Sequence, residues 1–294
     1  MTEPLPLVIE KARSSRRPVI LDGAMGTELD RRGARIEGAA WSARALFENP
    51  DLVLAIHRDY VAAGAEVILA NTFRATSRSF ASAGIRASWK DAATLAVKLA
   101  IEAASCRALV AASIGPLEEC YSPSLAPGSD EAYAEHRSLI EAAAEAGATV
   151  AWIETMNTAA EAEAAARAAR DAGVPFVVSF VPDAEGRVLD KTPLPEAVEA
   201  IEPHGPAAIL LNCAPPSMID RALPELRKAT TLPIGVKAHL GLAEPHQGWM
   251  GSAWLEPDAF AEKCISWAAS GALLLGGCCG STPAHIAALK EALK

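Results

Sequence analysis

Three cysteines are placed so that they can hold one metal ion. Cys278 and Cys279 stand side by side in Gly276-Gly277-Cys278-Cys279-Gly280, directly after the apolar run Leu273-Leu274-Leu275. Cys213 closes a second run of the same kind, Leu210-Leu211-Asn212-Cys213. Neighbouring cysteines on an extended chain point apart and pair with each other only under strain. On a glycine-flanked turn, both thiolates can face a single ion instead. Three thiolates from two strand ends, with the fourth position open, describe a catalytic zinc site rather than a closed structural one. A vicinal disulfide and three unrelated buried cysteines are the other readings of these residues. Cys106, Cys120 and Cys264 show no paired setting and read as packing or loop residues.

Bringing such residues together requires elements that end in one place. Eight short apolar runs read as strands, at 18–21, 66–70, 108–113, 149–153, 175–180, 207–211, 232–236 and 272–275. Each is followed by a segment of helical pattern. The helix expected at 51–63 puts Leu52, Ile56, Tyr60 and Ala63 on one face. Those at 130–146 and 159–172 are stopped by Gly147 and Gly173. Continuous apolar strands alternating with helices imply a parallel sheet covered on both faces. Eight such units in 294 residues fit a closed (β/α)8 TIM barrel, α/β in class. An open doubly wound sheet is the rival, but it gathers polar residues at one switch point. Here they follow nearly every strand. No linker-like break interrupts the chain, so a single domain over 1–294 is expected, with 115–130 as a long loop over the barrel mouth. Asp22, Asn71, Glu154, Cys213, His239, Cys278 and Cys279 then all fall at C-terminal strand ends, the face where such barrels keep their active sites.

Composition narrows the function classes. Apolar residues make up 51% of the chain, enough for a large core, yet no run approaches the ~20 residues that span a bilayer. The first 18 residues mix charges of both signs and lack a signal-peptide stretch. Six cysteines in that setting point to reduced thiols and a cytoplasmic location. Net charge is −9, and no basic run exceeds Arg16-Arg17 or Arg31-Arg32, which argues against a nucleic-acid partner.

Four motifs together resemble the homocysteine S-methyltransferase family. They are Leu-Asp-Gly-Ala-Met-Gly-Thr-Glu-Leu at 21–29, Asn-Thr-Phe at 71–73, Asn-Cys at 212–213 and Gly-Gly-Cys-Cys-Gly-Ser-Thr-Pro-Ala-His-Ile at 276–286. That family includes S-methylmethionine-dependent and betaine-dependent enzymes and the homocysteine module of cobalamin-dependent methionine synthase. The resemblance runs over about residues 19–293. It implies a zinc-bearing barrel in which Cys213, Cys278 and Cys279 hold Zn²⁺ and the acceptor is homocysteine. Asp22 and Glu154 are then expected to hold the substrate ammonium, and the N–H groups of Gly23 and Ala24 its carboxylate. Asn71, in the Asn-Thr-Phe motif, joins this substrate-binding set. Trp41 stands where relatives with cationic donors carry a tryptophan, and an aromatic face attracts a sulfonium.

Plainer roles exist for the same residues. Asp22 can cap a helix, Glu154 can pair with an arginine, Trp41 can cover the rim, and Asn212 can support a zinc ligand or form a turn. Two positions depart from the family pattern. Arg74 replaces the tyrosine of betaine enzymes, which disfavours betaine. His239 stands near a position where relatives carry asparagine, and reads either as a resting-state zinc ligand or as a hydrogen-bonded loop histidine. The segment 242–254 that follows, with His246 and Trp249, is longer than the family suggests.

The expected reaction is transfer of a methyl group from a sulfonium donor, S-methylmethionine or S-adenosylmethionine, to the homocysteine thiol, giving methionine. A standalone module fed by a corrinoid partner protein, a non-catalytic zinc or thiol-metabolite binder, and an enzyme for another thiol or selenol are the alternatives.

Overall fold

Branched and leucine-rich runs become strands in the computed structural model, which describes residues 3–240 and 255–294. They are β1 Val19–Ile20, β2 Val67–Ala70, β3 Leu109–Ile114, β4 Val150–Met156, β5 Phe176–Phe180, β6 Ile209–Asn212, β7 Ile234–Ala238 and β8 Ala272–Gly277. Their order is β1-β8-β7-β6-β5-β4-β3-β2, and every pairing is parallel. The ring closes between β1 and β2 through the Leu21–Val67 bridge. There the Asp22 N–H donates to the Val67 carbonyl at 3.0 Å and the Glu66 N–H to that of Ile20 at 2.7 Å. The result is the single (β/α)8 barrel, not the open sheet.

Alternation along the strands divides the core in two. Leu21, Leu69, Leu109, Trp152, Val177, Leu210 and Leu274 fill the barrel interior. Ile68, Val110, Ile153, Val178, Leu211, Val236 and Leu275 face the helices. The same alternation, carried one step towards the C-terminal ends, places Ser113, Glu154, Asn212 and Lys237 on the inner rows. A helix that the sequence reading did not identify, Leu5–Ser15, seals the opposite end with Leu5, Ile9 and Ala12 packed into the interior cluster.

The expected helices appear with small shifts, at Pro50–Ala63, Ser129–Glu145 and Ala159–Asp171. The buried side of the first is Val53, Ile56, His57, Tyr60 and Val61, while Leu52 and Ala63 are half-buried. Its contact face is turned from the expected one because the neighbouring helices Trp89–Ala104 and Pro283–Ala292 cover its flanks as well. Among the described residues no helix is long and apolar enough to cross a membrane. Gly241 and the 242–254 segment lie outside the described residues.

Candidate metal and substrate site

The two cysteine-bearing turns hang on one strand. The Cys213 N–H donates to the Lys237 carbonyl at 3.1 Å, and the Cys278 N–H to that of Ala238 at 2.8 Å, so β7 spaces both. Cys213 adopts φ 52°, a left-handed conformation that costs a residue with a Cβ about 1–3 kcal/mol and is typical of functional sites. Gly276 and Gly277 are required by close approach. A Cβ on Gly276 would sit 2.7 Å from the Asp22 carbonyl oxygen, and one on Gly277 would sit 2.3 Å from Ser281 Oγ. Ser281 Oγ donates to the Cys278 carbonyl at 2.7 Å and accepts from the Ala24 N–H at 3.1 Å. Tyr60 Oη donates to the Ala24 carbonyl at 2.8 Å. The first and last strand-end turns are thereby locked together.

Cys213, Cys278 and Cys279 bring their sulfurs within 4.8 Å of one another. Sγ of Cys213 lies 3.9 Å from that of Cys279 and 2.8 Å from that of Cys278. The first matches the edge, about 3.8 Å, of a tetrahedron with Zn–S bonds of about 2.3 Å. The second is shorter than that edge, yet far beyond the about 2.05 Å of a disulfide. The three sulfurs are grouped at one point, so the reading as unrelated cysteines does not hold. Hydrogen bonds from Cys213 and Cys279 pull the Cys278 thiol well below its usual range, while those two are pushed up. Three cysteine sulfurs at one point are a soft donor set, and they fit zinc.

Beside the sulfurs lie three buried charges. Asp22 Oδ2 accepts from the Leu69 N–H at 2.7 Å, and Oδ1 lies 2.6 Å from Lys237 Nζ. Burial raises the Asp22 pKa, with Lys237 pulling against it. Glu154 accepts from the Ser113 hydroxyl, and Asn212 Nδ2 lies 3.4 Å from its other oxygen. Burial lifts its pKa to about 7 even though the Lys237 cation opposes the rise. For Lys237 burial favours the neutral amine, but Asp22 and Glu154 outweigh it and the pKa is raised. Two of the plainer roles drop out. The helix after β1 begins at Gly26 with Met25 as its cap residue, so Asp22 caps nothing. Glu154 meets no arginine among the described residues. Asn212 is a support: its amide takes the Thr155 N–H at 3.1 Å and donates to Thr155 Oγ1 at 2.9 Å, fixing the turn after Glu154.

A cavity of about 460 Å³ opens from the sulfurs to an aromatic wall. Trp41 and Phe73 meet edge to face with centroids 6.0 Å apart. Glycines leave room for both rings: a Cβ on Gly26 would lie 2.3 Å from Trp41, and one on Gly115 would lie 2.4 Å from Phe73. Asn71 reaches neither sulfur nor charge. Its amide donates to the Ser42 carbonyl at 2.8 Å and accepts from the Ser42 hydroxyl at 2.7 Å, tethering the Trp41–Arg44 turn. Arg74 is turned aside, stacked 5.1 Å from the Phe73 ring centre and bonded to the Pro116 carbonyl and to Cys120 Sγ. Cys120 is therefore part of the pocket wall, with its thiol pushed up to about 11 by burial. Of the Gly23 and Ala24 N–H groups, that of Ala24 is already given to Ser281.

His239 is buried next to the cluster, beside the three cysteines that come together. Burial lowers its pKa, with the neighbouring Cys278 and the Cys279 backbone acting in the opposite direction. Sequence reasoning missed Lys237 and Tyr121. Tyr121, from the loop over the mouth, donates to the Cys213 carbonyl at 3.2 Å. The available signal for Lys237 was a lysine directly after the apolar run 232–236, at a strand end like the other site residues; Tyr121 carried none.

Residues 19–293 match the homocysteine S-methyltransferase family. The homocysteine S-methyltransferase YbgG of Bacillus subtilis is 33% identical over 91% of this chain and 92% of its own length. The homocysteine S-methyltransferase of Escherichia coli is 34% identical over 92% and 94%. A crystal structure of the Escherichia coli homocysteine methyltransferase MmuM in its metallated form superimposes with a TM-score of 0.83 at 31% identity, covering 97% of this chain and 99% of that one. Barrel, sulfur cluster and relatives agree along nearly the whole length, and the chain is an enzyme of the homocysteine S-methyltransferase family.

Proposed function

We propose that the protein transfers a methyl group from a small sulfonium donor to the thiol of homocysteine, giving methionine, with Zn²⁺ held by Cys213, Cys278 and Cys279. The observation that carries this reading is the three grouped sulfurs in the lining of one cavity that Glu154, Trp41 and Phe73 also line. Zinc, when bound, supplies a Lewis acid that keeps a substrate thiol deprotonated and nucleophilic. Glu154, once ionised, pairs with the acceptor's ammonium. The Tyr121 and Asn212 hydrogen bonds hold the Cys213 and Glu154 turns in register, so sulfur and ammonium are bound at a set spacing. That positioning is much of the catalytic advantage in a bimolecular displacement.

The donor side favours a sulfonium. The rings of Trp41 and Phe73 offer negative faces to a cation, and Glu118 and Glu119 add carboxylates to the same wall. The two arginines there are already engaged: Arg74 as described, and Arg78 by Glu118, Glu131 and Glu135. In-line attack forms the new S–CH3 bond as the old one breaks, and the donor leaves as a neutral thioether with the bonding pair. No proton is needed by the leaving group. Purified protein should make methionine from homocysteine with S-methylmethionine or S-adenosylmethionine and no second protein. Product with methyl-corrinoid alone would replace the donor assignment, and homocysteine binding without turnover on any donor would make the protein a binder.

A further inference from the structure

Two carboxylates at the acceptor end suggest a site for one ammonium, yet the chain already places an ammonium of its own against Asp22. Lys237 Nζ lies 2.6 Å from Asp22 Oδ1, and its side chain is 3% exposed. The second oxygen of Asp22 is taken by the Leu69 N–H. Asp22 is therefore matched in charge and in hydrogen bonds before any substrate arrives. Glu154 has no such contact: its hydrogen-bond partners are the neutral Ser113 and Asn212, and Lys237 acts on it only through its field. A substrate ammonium brought to Asp22 would stand against that of Lys237, and like charges a few ångströms apart in a buried pocket repel strongly. Lys237 has three N–H donors, one of them used by Asp22, and it lines the cavity that reaches Cys278 and Cys279. Its natural complement is an anion.

We infer that Lys237 is an acceptor-binding residue: held by Asp22, its ammonium takes the carboxylate of an α-amino thiol acid whose own ammonium goes to Glu154. Resting on the acceptor proposed above, this assigns the head group differently from the expectation that Asp22 and Glu154 share the ammonium. Asp22 becomes the residue that positions Lys237. The strand that carries Lys237 is also the one from which the two cysteine turns hang. Head-group and sulfur recognition are thereby built on a single rigid element, which is how a scaffold keeps two contacts in register.

The test is calorimetric binding of three thiols to the zinc-loaded protein, with zinc content measured for each variant. The thiols are homocysteine, its deaminated analogue (carboxylate, no ammonium) and its decarboxylated analogue (ammonium, no carboxylate). Lys237→Met should weaken homocysteine and the deaminated analogue by roughly tenfold or more, the loss of one charge-assisted hydrogen bond. The decarboxylated analogue should bind as well as before or better, because Asp22 is released to it. Glu154→Gln should give the mirror image, sparing only the deaminated analogue. Lys237→Met leaves Asp22 buried and unpaired, so Asp22→Asn/Lys237→Met removes both charges and should show the same selective loss for the two carboxylate-bearing thiols in a well-folded protein. Equal weakening of all three thiols in both Lys237 variants, or none, would overturn the assignment. A wild-type protein that binds none of them would remove the acceptor reading itself.

Discussion

Glu154 is a carboxyl whose charge the free pocket supports poorly. Burial holds its pKa at about 7, although Lys237 works in the opposite direction. A cation bound beside it favours the ionised form, so binding an ammonium must release a proton wherever the free group is still protonated. The sign follows: homocysteine affinity is full above about pH 7 and falls as the pH drops through that value. Calorimetry in buffers of different ionisation heat reads the released proton directly. The thiol's proton is released on zinc in either protein, so Glu154→Gln should remove only the carboxyl's share of the release and weaken homocysteine by roughly 1.5–3 kcal/mol while zinc stays in place. A variant that keeps both the affinity and the pH profile would return Glu154 to a purely structural role.

At the scale of elements, the donor wall depends on a short turn and its tether. The Trp41–Arg44 turn starts from a tryptophan at φ 38°, a strained position for any residue with a Cβ. What holds it is the pair of hydrogen bonds from Asn71, at the end of β2, to Ser42. Asn71→Ala leaves Ser42 with buried polar groups unsatisfied, at a cost of roughly 1–3 kcal/mol, and frees the tryptophan. Steady-state kinetics should show a raised KM for the sulfonium donor with the homocysteine KM nearly unchanged. Equal rises in both would mean that Asn71 contacts the acceptor. The loop over the mouth is anchored in a similar way. Glu161 Oε1 accepts from the Leu117 N–H at 2.8 Å and lies 3.1 Å from His136 Nε2, deep between two helices.

Over the whole molecule, stability and chemistry sit at opposite ends of the barrel. The helix Leu5–Ser15 closes the end remote from the sulfurs, with Leu5 1% and Ile9 5% exposed. Leu5→Ala or Ile9→Ala should each cost about 2–5 kcal/mol in denaturant unfolding and leave zinc content and KM values unchanged. The cysteines should behave in the opposite way. Cys213→Ala, Cys278→Ala and Cys279→Ala should each lose zinc while far-ultraviolet circular dichroism and a cooperative melt persist. Removing the metal forfeits only the stabilisation that binding adds by mass action. Cooperative unfolding of the whole domain by a chelator would instead make the metal structural.

The amino-acid sequence by itself determined the barrel and the sulfur cluster. Eight apolar runs that end in polar residues leave few ways to bury both faces of a sheet, and cysteines at two of those ends must then meet. Patterns of that kind depend on spacing within one segment, which the chain displays openly. What the tertiary structure decided is which partner each polar side chain takes. Lys237 follows the apolar run 232–236 without drawing notice until the fold brings β7 within reach of Asp22, 215 residues away in the chain. Asn71 reads as a substrate ligand, and only the fold shows that Ser42 takes up its amide. Tyr121 reads as nothing in particular until its loop folds over Cys213. Hydrogen bonds and ion pairs are satisfied by whichever group is nearest in space. No local pattern records that, so the assignment of charges within the site had to come from the fold.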